Sequence, residues 1–252
     1  MSSGVSTIEI RKLLETDRSW SAYALADLDP HYREVSDWYH HPEALVLVYR
    51  GITPPVLFAM GSTSRLEELF PRVPRGRYIY TLLGNCRAIL RQHLKIETEN
   101  HMWRMVLNQD AFPGIPEEGV VKLQMANLAD IQTLFSAYPD QPDAFTPEQL
   151  QKGIFWGMYE DSELISIAGT HIISQWASVA AIGNVFTRPD RRGRGFATRV
   201  TGAVVKDILQ QNIRSIVLNT AMDNAPALSC YRKLGFSPYC GYYEGIGTLT
   251  NQ

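Results

Sequence analysis

Between Arg188 and Gly195 the chain reads RPDRRGRG, four arginines and two glycines in eight residues, and an amphipathic run follows at once. The apolar run ahead of it suits a strand ending at Thr187, and the run behind it suits a helix starting near Gly195. The first N–H groups of a helix have no internal partner and carry partial positive charge along the axis. Glycines at 193 and 195 keep side chains away, so a diphosphate could reach those amides. Arg192 and Arg194 would add charge-assisted donors. Arg192, Gly193, Arg194, Gly195, Phe196, Ala197 and Thr198 therefore supply the parts of a pyrophosphate site. The other phosphate loops fit worse: a GxGxxG turn would need glycine where Thr198 stands, and no GK[ST] occurs. A solvated loop and a nucleic-acid patch are the competing readings. Arg188, Arg191 and Arg199 suit a solvated charge run, with Arg199 also placed to meet a further phosphate.

A second group lies in NAPALSCYRKLGF, from Asn224 to Phe236. Pro226 near the start and Gly235 just past the end mark a helix. That helix carries Tyr231, a phenol able to donate a proton or a hydrogen bond, or simply to pack beneath the helix. Cys230 beside it is turned elsewhere by the helical twist and suits a small core residue. His171, after the run AGT, titrates in the range useful to a base, but a strand-end histidine also serves structure. His40 and His41 are adjacent and cannot share a face as ligands, and no HExxH spacing exists, so no metal is expected.

These groups need elements to position them. An apolar-periodic region over 13–28 predicts a first helix, and ALVLVYR, PVLFAMG and RYIYTLL read as strands. STSRLEELF and NCRAILRQHL read as helices, LKIETENHMWRMVLN as a long strand, and Pro54-Pro55 as a hairpin turn. Pro113, Gly114 and Pro116 interrupt regular structure at a seam within 107–121. Beyond it come the strand VVKLQ, then a helix from 128 with Asn127 as N-cap and Asp130 at the capping-box position. A short helix over 146–151 and a hairpin turning at Glu160-Asp161 follow. The strand SVAAIGNVFT leads into the arginine cluster. Phe196, Val200, Val204 and Ile208 then repeat at helical spacing. SIVLNTA and FSPYCGYYEGIG are the last strands.

The bulk numbers exclude whole classes. The chain has 252 residues, 45% of them apolar and 20% charged, which suits one large or two ordinary globular domains. A net charge of -2 and a pI near 6.3 leave no global field to attract nucleic acid or an anionic membrane. The start, MSSGVSTIEIRK, lacks the apolar centre of a secretory signal, and ALVLVY is too short to span a bilayer. Three cysteines without a CxxC argue against a disulfide framework or zinc, so a cytoplasmic protein is expected.

The spacing Arg192-x-x-Gly195-x-Ala197 resembles the [RQ]-x-x-G-x-[GA] pyrophosphate loop of the GNAT superfamily of acyl-CoA-dependent N-acyltransferases. The loop alone decides little. Its setting adds the strand end GNVFTRPD before it, and Asn224, Ala227, Tyr231, Gly235 and Phe236 in order after it. The match runs from about Val120 to Gly247. It implies an α/β fold with a mixed, mostly antiparallel twisted sheet, splayed between the two strands that hold acetyl-CoA. It implies a catalytic domain over 118–252 beside an N-terminal α/β domain over 1–112. That first part is either a degenerate repeat, since its turn GSTSR has lost the loop residues, or an unrelated cap. The layout is also similar to glycine N-acyltransferase-like enzymes.

By the same resemblance the pantetheine arm would pair with the backbone of Val185, Phe186 and Thr187, and the pyrophosphate would meet the amides from Gly193 to Thr198. Asn224 would touch the arm from the opposite side. A backbone N–H near Val185 would polarise the thioester carbonyl. Tyr231 matches the acid toward the leaving sulfur, although transfer from a phenol to a thiolate is uphill by about 2 kcal/mol on reference values. Where relatives carry a glutamate base, this chain offers Asn184 and Asn219, so His171 or water is left for the proton. The implied reaction is acetyl transfer from acetyl-CoA to a primary amine of a small or amino-acid-like acceptor. Asp140, Asp143 and Glu148 could attract that amine. The alternative is a non-catalytic acyl-CoA-binding or interaction protein. Neither nucleic acid nor membrane is expected as partner, and a homodimer stays open.

Overall fold

Alternating and β-branched runs make the strands of this chain, and each 3.6-residue apolar stripe makes a helix to cover them. The computed structural model describes residues 7–116, 118–139, 142 and 145–250. In chain order the elements are α1 (Thr7–Leu14), α2 (Ala22–Asp27), β1 (Ser36–His41), β2 (Ala44–Tyr49), β3 (Val56–Gly61), α3 (Thr63–Leu69), β4 (Gly76–Leu82), α4 (Gly84–Leu90) and β5 (Leu94–Leu107). Then come β6 (Val121–Lys122), α5 (Leu128–Ser136), α6 (Pro147–Lys152), β7 (Phe155–Glu160), β8 (Glu163–Ser174), β9 (Val179–Thr187), α7 (Phe196–Gln210), β10 (Ser215–Ala221), α8 (Ala225–Lys233) and β11 (Phe236–Leu249).

The chain forms two compact units. Unit 1 comprises Met1–Arg104, Ala221–Asp223 and Tyr239–Gln252; unit 2 comprises Met105–Thr220 and Asn224–Pro238. Against a simple division at 112–118, the first boundary falls after Arg104, and Ala221–Asp223 and most of the last strand, from Tyr239, group with the first unit. Its residues Tyr243 to Leu249 pair antiparallel with Leu82 to Gly76 of β4, and that ladder outweighs sequence proximity.

In unit 1 the strands lie in the order β1-β2-β3-β4-β11-β5. β3 and β4 are parallel, from Val56↔Ile79 to Ala59↔Leu82, and α3 makes the crossover. Val46, Val48, Leu57, Leu66, Phe70 and Tyr80 are at the centre of the core. The turn from β3 into α3 is filled by the unit's own chain. A Cβ on Gly61 would lie 2.2 Å from the Glu43 carbonyl oxygen, which already accepts from Ser62 N at 2.8 Å.

In unit 2 the order is β10-β9-β8-β7-β6, antiparallel except for the parallel β9–β10 pair joined through α7. α5 and α6 cover a core of Leu134, Phe135, Leu150, Phe155, Ile167 and Phe186. α7 lies against β7, β8 and β9.

Three local readings change. The first helix is two, because a 3-10 turn at Glu15–Asp17 breaks the stripe. SDWYHH forms β1, whose weak alternation hides a strand paired along β2. Asn127 stands at the N-cap position of α5 but its side chain makes no cap bond to that helix. A 3-10 turn at Met125–Asn127 comes first, and Asn127 Oδ1 closes it by accepting from Gln124 N at 3.0 Å. Asp130 instead accepts from the Tyr159 hydroxyl at 2.7 Å.

Candidate active site

The parallel ladder between β9 and β10 runs from Val179↔Ser215 to Ile182↔Leu218 and stops there. β8 stays paired with β9 as far as Ser166↔Thr187. From Gly183 onward β9 thus has a strand on one edge only. Phe186 O accepts from Ser166 Oγ at 3.3 Å, and Arg188 N donates to Ile165 O at 2.9 Å, so residues 186 and 188 face β8. Backbone polarity alternates along a strand, which turns the amides of Val185 and Thr187 to the open edge. Phe186 puts its ring into the core, leaving only its backbone at the strand edge.

The strand is also bulged there. Between Gly169↔Gly183 and Ile167↔Phe186, β9 advances three residues against two on β8. Asn184 takes up the extra length at φ +52°, a left-handed conformation that asparagine tolerates. Its Nδ2 donates to Gln149 Oε1 at 3.0 Å, while its Oδ1 is buried with no partner among the described residues. Asn219, the first residue of β10 past the ladder, also has a buried Oδ1 without a partner. His171 sits on a second bulge, in β8, and its ring rests over Gly183: a Cβ there would be 2.1 Å from His171 Nε2. Sequence reasoning missed Gln149. Its signal was the T-x-x-Q capping box, in which Thr146 and Gln149 bond reciprocally.

The arginine cluster divides its labour. Arg188 pairs with Glu163 and Asp190, and Arg191 with Glu160 and Asp190, so these two are structural. Arg199 donates to Glu118 O and does not extend the phosphate cradle. Arg192 folds back, its Nε 3.0 Å from Thr187 O and its guanidinium 5.5 Å from the Phe186 ring centroid. Arg194 is exposed and makes no ion pair among the described residues. Gly193 and Gly195 hold φ +78° and +81°, and a Cβ on either would meet nothing within 4 Å. The first helical rung is Arg199 N to Gly195 O at 3.1 Å, which leaves the amides of Phe196, Ala197 and Thr198 ahead of the ladder. No acidic side chain occupies the first turn of α7.

Asn224 caps α8, accepting from Ala227 N at 3.1 Å, so only its Nδ2 remains for another partner. Tyr231 is 7% exposed and stands edge-on to Phe236. Burial pushes its phenol well up, so it stays protonated. Cys230 is not a simple core residue: its sulfur accepts from Thr198 Oγ1 at 3.3 Å and ties α8 to the first turn of α7. Glu148 is paired with Lys152 at 2.5 Å, which answers its charge locally. Asp140 and Asp143 lie outside the described residues. Among the described residues there is no cluster of three metal-ligating side chains, and no helix is long and apolar enough to cross a membrane.

Open glycine turn, unladdered amides, one basic side chain free to move and a strand edge without a neighbour are what a diphosphate on an amide-bearing arm requires. Residues 124–236 match the family model described as Acetyltransferase (GNAT) family. The likeness to the GNAT acetyltransferases covers these 113 residues, a little under half of the chain. A mycothiol acetyltransferase of Saccharomonospora viridis is 24% identical over 215 residues, 82% of this chain and 62% of that one. The chain spans less than two thirds of the length of the mycothiol acetyltransferases it matches. A GNAT-family acetyltransferase of Novosphingobium aromaticivorans superposes with a TM-score of 0.64 at 17% identity, over 90% of this chain and 96% of that chain. A Drosophila protein reaches 0.72 at 14%, over 98% of both. These likenesses establish the GNAT fold across most of the chain.

Proposed function

We propose that this chain transfers an acetyl group from acetyl-CoA to the primary amine of a small, amino-acid-like acceptor by direct attack. The observation that carries this reading is the parting of β9 from β10 after Ile182↔Leu218, immediately before the glycine turn into α7. The donor supplies an acetyl thioester. The amides of Gly193 to Thr198 and the side chains of Arg192 and Arg194 hold its diphosphate end, and the outward amides of Val185 and Thr187 take its arm. The Val185 N–H polarises the reacting carbonyl. Tyr231, whose buried phenol keeps its proton, donates a hydrogen bond to the departing sulfur.

An amide side chain takes no proton, so Asn184 and Asn219 cannot serve as bases. The acceptor enters as free amine or gives its proton to His171, whose ring rests over Gly183, one residue before the bulge. Curated relatives are named mycothiol acetyltransferase and, in Schizosaccharomyces pombe, N-alpha-acetyltransferase 30; the second name points to an α-amino acceptor. The three cysteines are free, which suits the cytoplasm.

Unit 1 reads as a degenerate repeat. It keeps strand, helix, parallel strand, helix, strand from β3 to β5, but Glu43 fills the turn that Gly193 and Gly195 leave open in unit 2. A thiol-release assay over a panel of amines, with calorimetry of acetyl-CoA alongside, tests the main reading. The paired asparagines favour one rival, a binder without chemistry. Tight donor binding with no turnover on any amine, peptide or aminoglycoside would establish that rival.

A further inference from the structure

Within unit 1, Arg104 is 1% exposed and enters a cage of Trp20, Tyr23 and Tyr242. Its guanidinium carbon is 5.4, 4.9 and 5.6 Å from the three ring centroids. Nη2 donates to Trp20 O at 3.3 Å, and the guanidinium is also hydrogen-bonded to the Tyr23 side chain. Nε and Nη1 have no acceptor among the described residues, and neither does the Nε1 of Trp20, itself 1% exposed. Arginine does not give up its proton in proteins, so this is a permanent buried cation. Ring faces offset part of the desolvation, but buried charges in folded proteins are paired and hydrogen-bonded. No carboxylate within the described residues is in ion-pair range of Arg104. Glu244 acts at one remove, through the Tyr242 hydroxyl that donates to its Oε2 at 3.2 Å. Asp27 also faces Tyr23, and burial holds its carboxyl toward the neutral form.

We propose that unit 1 carries a binding site for a small carboxylate, held by Arg104 Nε or Nη1 and by Trp20 Nε1 inside the Trp20–Tyr23–Tyr242 cage. The class follows from charge and shape. One fixed positive charge balances a monoanion, whereas a phosphate dianion would add a charge that Glu244 repels. A carboxylate accepts from more than one N–H at once. This is a site of unit 1 alone, for a small carboxylate ligand. The site stands without the acetyl-transfer reading, because binding is measured with neither donor nor turnover.

The test is calorimetry of the full chain at fixed ionic strength with acetate, glycine, glycinamide, phosphate and chloride. Acetate and glycine are expected to bind; glycinamide, phosphate and chloride are not. Arg104→Met removes a lone buried charge, which cores often tolerate, and is expected to fold and to weaken acetate at least about tenfold. Trp20→Phe, which deletes the indole N–H and keeps a ring, should weaken it by a smaller factor. Equal affinity for glycine and glycinamide, absence of carboxylate binding, or wild-type affinity in Arg104→Met would overturn the site. If Arg104→Met does not fold, unchanged affinity in Trp20→Phe overturns it instead.

Discussion

The side-chain amide of Asn184 donates to Gln149 Oε1 across 3.0 Å and so ties the bulge of β9 to the first turn of α6. Thr146 N donates to the same oxygen at 3.2 Å, which fixes Gln149 as the acceptor and Asn184 as the donor. Asn184 Oδ1 is thereby turned away, buried and without a partner among the described residues. Asn184→Gly keeps the left-handed backbone and loses the bond, so it should cost about 1 kcal/mol. Asn184→Ala should cost about 1 kcal/mol more, for the backbone. Both should cut turnover about tenfold while leaving donor affinity within about twofold, since the bulge aims the Val185 amide. Urea melts and steady-state kinetics read the two effects; equal stability of the two variants would remove the backbone argument.

Gly195→Val should fold and fail to bind donor. The added Cβ meets no atom of the protein, so the penalty is the φ of +81°, about 1–2 kcal/mol. The open side is the side offered to the diphosphate, and a branched side chain there should weaken acetyl-CoA at least about tenfold. A melting curve with calorimetry checks both halves. Unchanged affinity would place the cradle elsewhere.

Much of unit 2 was legible because its signals are local. A strand, a glycine turn and a helix stripe are contiguous in 179–210, and residues 224–236 carry both cap and stop. The bulges at Asn184 and His171 were not legible, since a bulge is a mismatch between two strands and neither strand alone records it. The pairing of Arg188 and Arg191 with Glu163, Glu160 and Asp190 was hidden for a similar reason: the β7–β8 hairpin brings the distant acids to the loop. β11 joining unit 1 is a long-range choice of edge, which its apolar pattern does not specify. The role of Cys230 depended on α7 and α8 meeting at Thr198.

Tyr231→Phe should lower turnover about tenfold or more and leave donor affinity nearly unchanged. The change removes one oxygen from a ring packed edge-on to Phe236, so the core is kept. Burial raises the phenol, and an acid with a raised value stays protonated as pH rises. The rate should therefore show no alkaline fall due to Tyr231 below about pH 10, the ordinary phenol value. A pH series of kcat on wild type and variant decides this. Wild-type turnover in the variant would take Tyr231 out of the reaction.

Acid should weaken unit 1 through Glu99. Arg87 Nε donates to Glu99 Oε2 at 2.6 Å, its Nη2 to Oε1, and the Tyr80 hydroxyl adds a bond of 2.9 Å. The Arg87 guanidinium holds the Glu99 carboxyl below the usual carboxylate range. A depressed folded value means stabilisation that is complete above the unfolded value, about 4.3 for glutamate, and is lost as pH falls through the folded one. Arg87→Met strands a carboxylate that is largely shielded from water and should cost about 2 kcal/mol at neutral pH. The same variant should remove the acid loss of stability below about pH 4, because the Arg87 bond that depresses the Glu99 carboxyl is gone. Urea denaturation at a series of pH values measures both. An acid slope as steep in the variant as in the wild type would mean that some other carboxylate governs it.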